Sequence, residues 1–101
     1  MRFARVSGQV VVRDNGLELR VTLDTGRQIE MIRSAVVPRL GGSASSNDLN
    51  WQADQYTQET IGNELAEQGW EAIAEQPATE RHPGMGVSGT YTVRNLGGAE
   101  W

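Results

Sequence analysis

The sequence predicts an α+β domain. Its antiparallel sheet combines a three-stranded N-terminal meander with two C-terminal strands, and one α-helix packs on it, in the order β-β-β-α-β-β. Three observations carry this reading. Between Ala4 and Leu23 apolar and polar residues alternate, which is the period of strands with one buried face. Two glycine-containing turns, Asn15-Gly16 and Asp24-Thr25-Gly26, interrupt that alternation. Further on, Tyr56, Ile61 and Leu65 form a stripe that ends at Gly69-Trp70, where a glycine can close a helix. The helix is required because a small meander alone would leave its apolar face in water. At 101 residues the chain suits a single domain spanning 1–101, with a modest core.

The first strand, Ala4 to Val12, places Ala4, Val6, Val10 and Val12 on one face, and the second places Leu17, Leu19, Val21 and Leu23 there. Asn-Gly favours a two-residue turn because both central residues need positive φ. A loop at Asn15-Gly16 pairs Val12 with Leu19, Val10 with Val21 and Gly8 with Leu23, and sets Arg13 against Glu18 on the other face. The second turn reads as a three-residue loop with Gly26 left-handed. It pairs Val21 with Ile29, Leu19 with Met31 and Arg20 with Glu30. The third strand fades over Arg33 to Val37, and Pro38 ends it.

Residues 41–50 are small and polar and read as a mobile loop. The helix is predicted over Thr57 to Gln68, capped by Asp54 or Thr57 and closed by Gly69. A strand from Trp70 to Ala74 follows, with Trp70 in the core. Pro77 to Gly86 reads as a loop, Val87 to Asn95 as the final strand, and 97–101 as a frayed tail.

Composition excludes several chemistries. The chain has no cysteine, and its nine basic residues are all arginines. It therefore has no thiol nucleophile, cysteine–zinc site, Schiff-base lysine or Walker-type phosphate loop. One histidine, His82, cannot build a multi-histidine metal site. No cofactor or metal is expected. Arg2 and Arg5 break the apolar N-terminus, and no window approaches the ~20 apolar residues that cross a bilayer. The expectation is a soluble, cytoplasmic protein. The net charge of −4 is unevenly placed. Residues 1–39 carry +3, residues 40–80 carry −8 with no base, and residues 81–101 carry +1.

Two resemblances bear on function. The run Asn63-Glu64-Leu65-Ala66-Glu67-Gln68-Gly69-Trp70-Glu71-Ala72-Ile73, with Tyr91-Thr92-Val93-Arg94 as a closing strand, resembles a family of short bacterial and phage domains of unknown function. In that family a helix exits through Gly-Trp-Glu into a strand, a loop and a closing strand. The match covers residues 56–95 and implies a fold rather than an activity. Gly62 inside the helix and the His-Pro-Gly loop depart from its pattern. Separately, Leu23-Asp24-Thr25-Gly26 is similar to the catalytic tripeptide of retropepsin-type aspartic proteases. That resemblance implies a homodimer in which two Asp24 carboxylates share a proton. Arg27 stands where that family has a small residue, and an ordinary turn accounts for the same residues.

The reading that results is a non-enzymatic binding or regulatory protein, bacterial or phage-borne, acting through protein–protein contacts. Trp51, in the polar loop, is the candidate exposed contact. Glu64, Glu67 and Glu71 form the candidate acidic face for a protein partner of unknown identity. An open sheet edge invites a homodimer. Arg5, Arg13 and Arg20 share the outer sheet face, but Glu18 and Glu30 offset them, so nucleic-acid binding is not expected to be strong.

Overall fold

A computed structural model describes residues 2–14, 16–38, 46–78 and 85–95. Six strands form one antiparallel sheet: β1 (Arg2–Arg13), β2 (Gly16–Asp24), β3 (Ile29–Val37), β4 (Trp70–Gln76), β5 (Met85–Val87) and β6 (Thr90–Asn95). The strand order is β3-β2-β1-β6-β4, with β5 also paired to β1. The helix α1 (Ser46–Thr60) continues through a π-helical segment (Ile61–Leu65) and lies on one face. The fold is thus α+β, a meander followed by a helix and further strands. The tail 97–101, His82, residues 41–45 and Asn15 lie outside the described residues.

The alternating residues fall on the helix side. Ala4, Val6, Val10, Leu17, Leu19, Val21 and Leu23 are buried there, together with Trp70, Tyr91 and Val93. The register differs from the expected one, although the faces do not. Arg13 closes the first hairpin opposite Gly16, so Val10 faces Leu19 and Gly8 faces Val21. This is a shift of two residues, and a two-residue shift returns every side chain to its own face. Gly26 is left-handed, with φ 85°. The second hairpin is nevertheless wider than expected, because Asp24 pairs with Ile29 across residues 25–28. A bulge between Val21 and Thr22 then leaves Ile32 unpaired in β3. Arg20 therefore faces Ser34, not Glu30.

The helix begins at Ser46, eleven residues before the expected start, so residues 46–50 are helical and not loop. Its buried stripe is Leu49, Ala53, Tyr56, Thr57 and Thr60. Two threonines can be fully buried because each satisfies its own hydroxyl. Thr57 Oγ1 donates to the Ala53 carbonyl at 2.7 Å and Thr60 Oγ1 to the Tyr56 carbonyl at 2.8 Å. The next buried residues are Ile61 and Leu65. The step of five from Thr60 to Leu65 suits a π-turn, in which the Ala66 amide bonds the Ile61 carbonyl. Gly69, at φ 90°, closes the helical stretch and delivers Trp70 to the core.

The helix lies close to the sheet at two glycines. A Cβ on Gly8 would overlap Thr57 Oγ1, and one on Gly86 would overlap the Leu49 backbone and come within 2.7 Å of Asn50 N. The expected continuous final strand is broken at Ser88-Gly89 into β5 and β6. Ser88 bridges the break to β1. Its amide donates to the Gly8 carbonyl at 3.0 Å, and its hydroxyl accepts from Gly8 N at 2.7 Å.

The helix holds the break from above. Asn50 Oδ1 accepts from Val87 N at 2.9 Å, and Asp54 Oδ1 accepts from Gly89 N at 3.3 Å and from the Tyr91 hydroxyl at 2.6 Å. Asp54 is therefore an interior helix residue rather than a cap. Burial and the bond to Asp54 push the Tyr91 hydroxyl well above its ordinary value near 10. Burial likewise raises Tyr56.

Two measurements check this arrangement. Gly8→Ala and Gly86→Ala are each expected to cost about 1–3 kcal/mol in urea unfolding, as overpacked core positions do. Adding Thr57→Ala should recover much of the first loss. It should recover none of the second, where the obstacle is helix backbone. Because both tyrosines titrate higher when folded than unfolded, stability is full below the unfolded value near 10 and falls as pH rises above it. Tyrosinate absorbance should therefore stay flat through that range until the protein unfolds, and Tyr91→Phe should make alkaline unfolding shallower.

Candidate functional site

Asp24 ends β2 on the sheet face away from the helix, directly opposite Arg5 on β1. Its Oδ1 accepts the Gly26 amide at 2.8 Å, which makes it an Asx turn that shapes the β2–β3 loop. It opens onto a hollow of about 420 Å³ lined by Phe3, Ala4, Arg5, Thr25, Gly26 and Thr92. Among the described residues no second carboxylate lines this hollow.

The three candidate acidic residues do not share one face. Glu64 is half-buried under β3, where its Oε1 lies 3.8 Å from Arg33 Nε. The same guanidinium sits 4.4 Å above the Tyr56 ring. Glu71 is on β4 opposite Arg94 of β6 and accepts a hydrogen bond from Arg94 Nε. Glu67 is exposed at the last helical turn. Trp51 is exposed, but it stands on α1 rather than in a loop.

Arg13 and Arg20 of the meander are also engaged. Glu18 accepts from Arg13 Nε at 3.0 Å and from Arg20 Nη2 at 2.7 Å. These two partners hold its carboxyl below the usual carboxylate range. Arg94 is bound by Glu71. Among the described residues Arg5 and Arg27 make no ion pair.

The arrangement that sequence reasoning did not assemble is the edge strand β3. Among the described residues it pairs with β2 alone. Opposite Asp24, Thr22, Arg20 and Glu18, its residues Ile29, Met31, Ser34 and Val36 share the face away from the helix. Ile29 is 71% exposed, Met31 56% and Val36 63%. Phe3, at 52%, stands on the same face of β1. Among the described residues no element covers this face. The signal was present as the apolar residues of 29–37, but without the bulge at Ile32 they could not be assigned to sides. Among the described residues no group of three or more histidine, cysteine or acidic residues could hold a metal ion, and no helix is long and apolar enough to cross a membrane.

The chain matches no protein-family model, no curated protein and no solved structure.

The engagement of Arg13 and Arg20 by Glu18 has a measurable consequence. Wild type should bind a labelled single-stranded oligonucleotide negligibly by fluorescence anisotropy, even at low salt. Glu18→Gln frees two cations on the outer face and should raise that binding several-fold at low salt, with the gain lost as salt is added.

Proposed function

We propose that the protein is a non-enzymatic binding module acting through protein–protein contacts, with the open edge of β3 as its docking strand. The observation that supports this is the edge itself: among the described residues β3 pairs with β2 alone, and it carries Ile29, Met31 and Val36 exposed on one face. An unprotected apolar edge offers backbone hydrogen bonds for affinity and side chains for selectivity to another extended chain. Trp51 and Glu67, both exposed, remain as a second contact on the helical layer. Glu64 and Glu71 serve that contact less directly, since each already faces an arginine of this chain.

The test compares proteins recovered with tagged wild type, with Ile29→Lys/Val36→Lys, and with Trp51→Ala/Glu67→Gln. Loss of a recovered protein with the edge variant alone is the expected result. An identical set from all three overturns the docking strand. Peptide cleavage at acidic pH that disappears in Asp24→Asn would replace this reading with a hydrolase.

A further inference from the structure

We propose that the hollow beside the β2–β3 turn binds an acidic α-amino acid, with Arg2 and Arg27 holding its two carboxylates and Glu30 its ammonium. This does not depend on what docks along β3.

The turn builds one wall. Gly26 N donates to Asp24 Oδ1 at 2.8 Å, Thr25 N donates to the Gln28 carbonyl at 3.1 Å, and Gln28 N donates to Thr25 Oγ1 at 3.4 Å. These bonds fix the backbone on both sides of Arg27 and so the root of its side chain. Glu30 follows on β3 opposite Leu23, whose side chain is buried on the helix side. Glu30 therefore shares that side of the sheet and is itself exposed.

The opposite wall is a row across three strands. Arg2 of β1 pairs with Asn95 of β6, and Asn95 with Trp70 of β4. The Arg2 guanidinium lies 5.1 Å from the centre of the Trp70 ring, where cation–π attraction holds it. Trp70 is placed in turn by the left-handed Gly69 and by burial. The helical stretch ends here, and the Gln68 carbonyl accepts from Asn95 Nδ2 at 2.9 Å. Sheet, turn and helix end border a hollow of about 240 Å³, lined by Arg2, Leu23, Arg27, Glu30, Gln68 and Trp70.

Size and charge together set the class of ligand. Sites for drug-sized molecules run from about 300 Å³ upward, so this one suits a smaller molecule. Two guanidinium groups and one carboxylate line the same space, yet among the described residues neither Arg27 nor Glu30 makes an ion pair. Opposite charges that share a hollow without meeting suit a molecule that carries both. A simple anion would meet Glu30 as a like charge, and a simple cation would meet two arginines. An acidic amino acid has two carboxylates and one ammonium, which match the three groups one for one. Guanidinium groups bind carboxylates through paired N–H donors. Arg2 has five such donors, so it can serve a ligand carboxylate while it stays over Trp70. Leu23 and Trp70 give the hollow an apolar floor for the methylene carbons between the charges.

The test uses three molecules of one shape: L-glutamate, L-glutamine, which lacks the second carboxylate, and glutarate, which lacks the ammonium. Binding to the full chain is followed by the NMR shifts of the Gly26 amide and the Trp70 indole. L-glutamate is expected to bind. L-glutamine and glutarate should each bind about tenfold more weakly, which is the loss of one charge-assisted bond. Arg27→Gln should weaken L-glutamate about tenfold. Glu30→Gln should do the same and bring L-glutamate and glutarate to equal affinity, since it removes the group that recognises the ammonium. Both positions are exposed, and circular dichroism should show both variants folded. The proposal is overturned if L-glutamate at millimolar concentration causes no shift, or if L-glutamine or glutarate binds as tightly. It is also overturned if Arg27→Gln leaves the affinity unchanged, or if Glu30→Gln tightens both L-glutamate and glutarate, which marks a site for any small anion.

Discussion

The structure depends on how closely the helix approaches the sheet. At Gly8 and Gly86 the sheet has no side chain, and α1 occupies that space with Thr57 and the Leu49 backbone. Any larger residue would lift the helix and open the layer between it and the strands. The low position has a second effect. It lets short polar side chains reach the sheet, so Asn50 and Asp54 can satisfy the amides of Val87 and Gly89 where the ladder is broken. A break between β5 and β6 would otherwise leave part-buried backbone donors without partners, which is unfavourable. The glycines, the helix and the interrupted strand are thus one arrangement.

That dependence explains what the sequence could and could not show. Strand faces were legible because alternation survives a register error of two residues, as the pairing of Val10 with Leu19 shows. The first half of the helix was not legible. Its buried stripe runs from Leu49 through Ala53, in a run that reads as loop, to Thr57, which is buried because Gly8 leaves it room and its hydroxyl bonds back to the helix. Gly69 and Trp70 were legible because a left-handed cap and a large apolar residue each have one obvious use. The bulge at Ile32 carried no local signal, since neither glycine nor proline marks it. With it went the sidedness of β3, which is the basis of the candidate site.

The charge pattern changes meaning in the same way. The −8 segment contains no cation of its own, yet the fold brings Arg33 to Glu64 and Arg94 to Glu71. Within the meander, Glu18 takes Arg13 and Arg20 together. Exposed pairs of this kind contribute only about 0–1 kcal/mol each. Their larger effect is on availability, because they occupy groups that would otherwise define an acidic or a basic surface. A reading built on segment charge therefore overstates both surfaces.

The bulge connects these observations. In an unbulged β3, Arg33 would share the outer face with Met31, and the edge would carry a cation in the middle of its apolar row. Charged side chains on an exposed edge are a common protection against pairing with other chains. Here the extra residue turns Arg33 toward Tyr56 and Glu64, where it ties the edge strand to the end of the helix. The same rotation leaves Ile29, Met31 and Val36 without a charged neighbour on their own strand's outer face. An interaction that stabilises the interior thus removes the feature that would have kept the edge from pairing, so the apolar edge follows from how the helix is held.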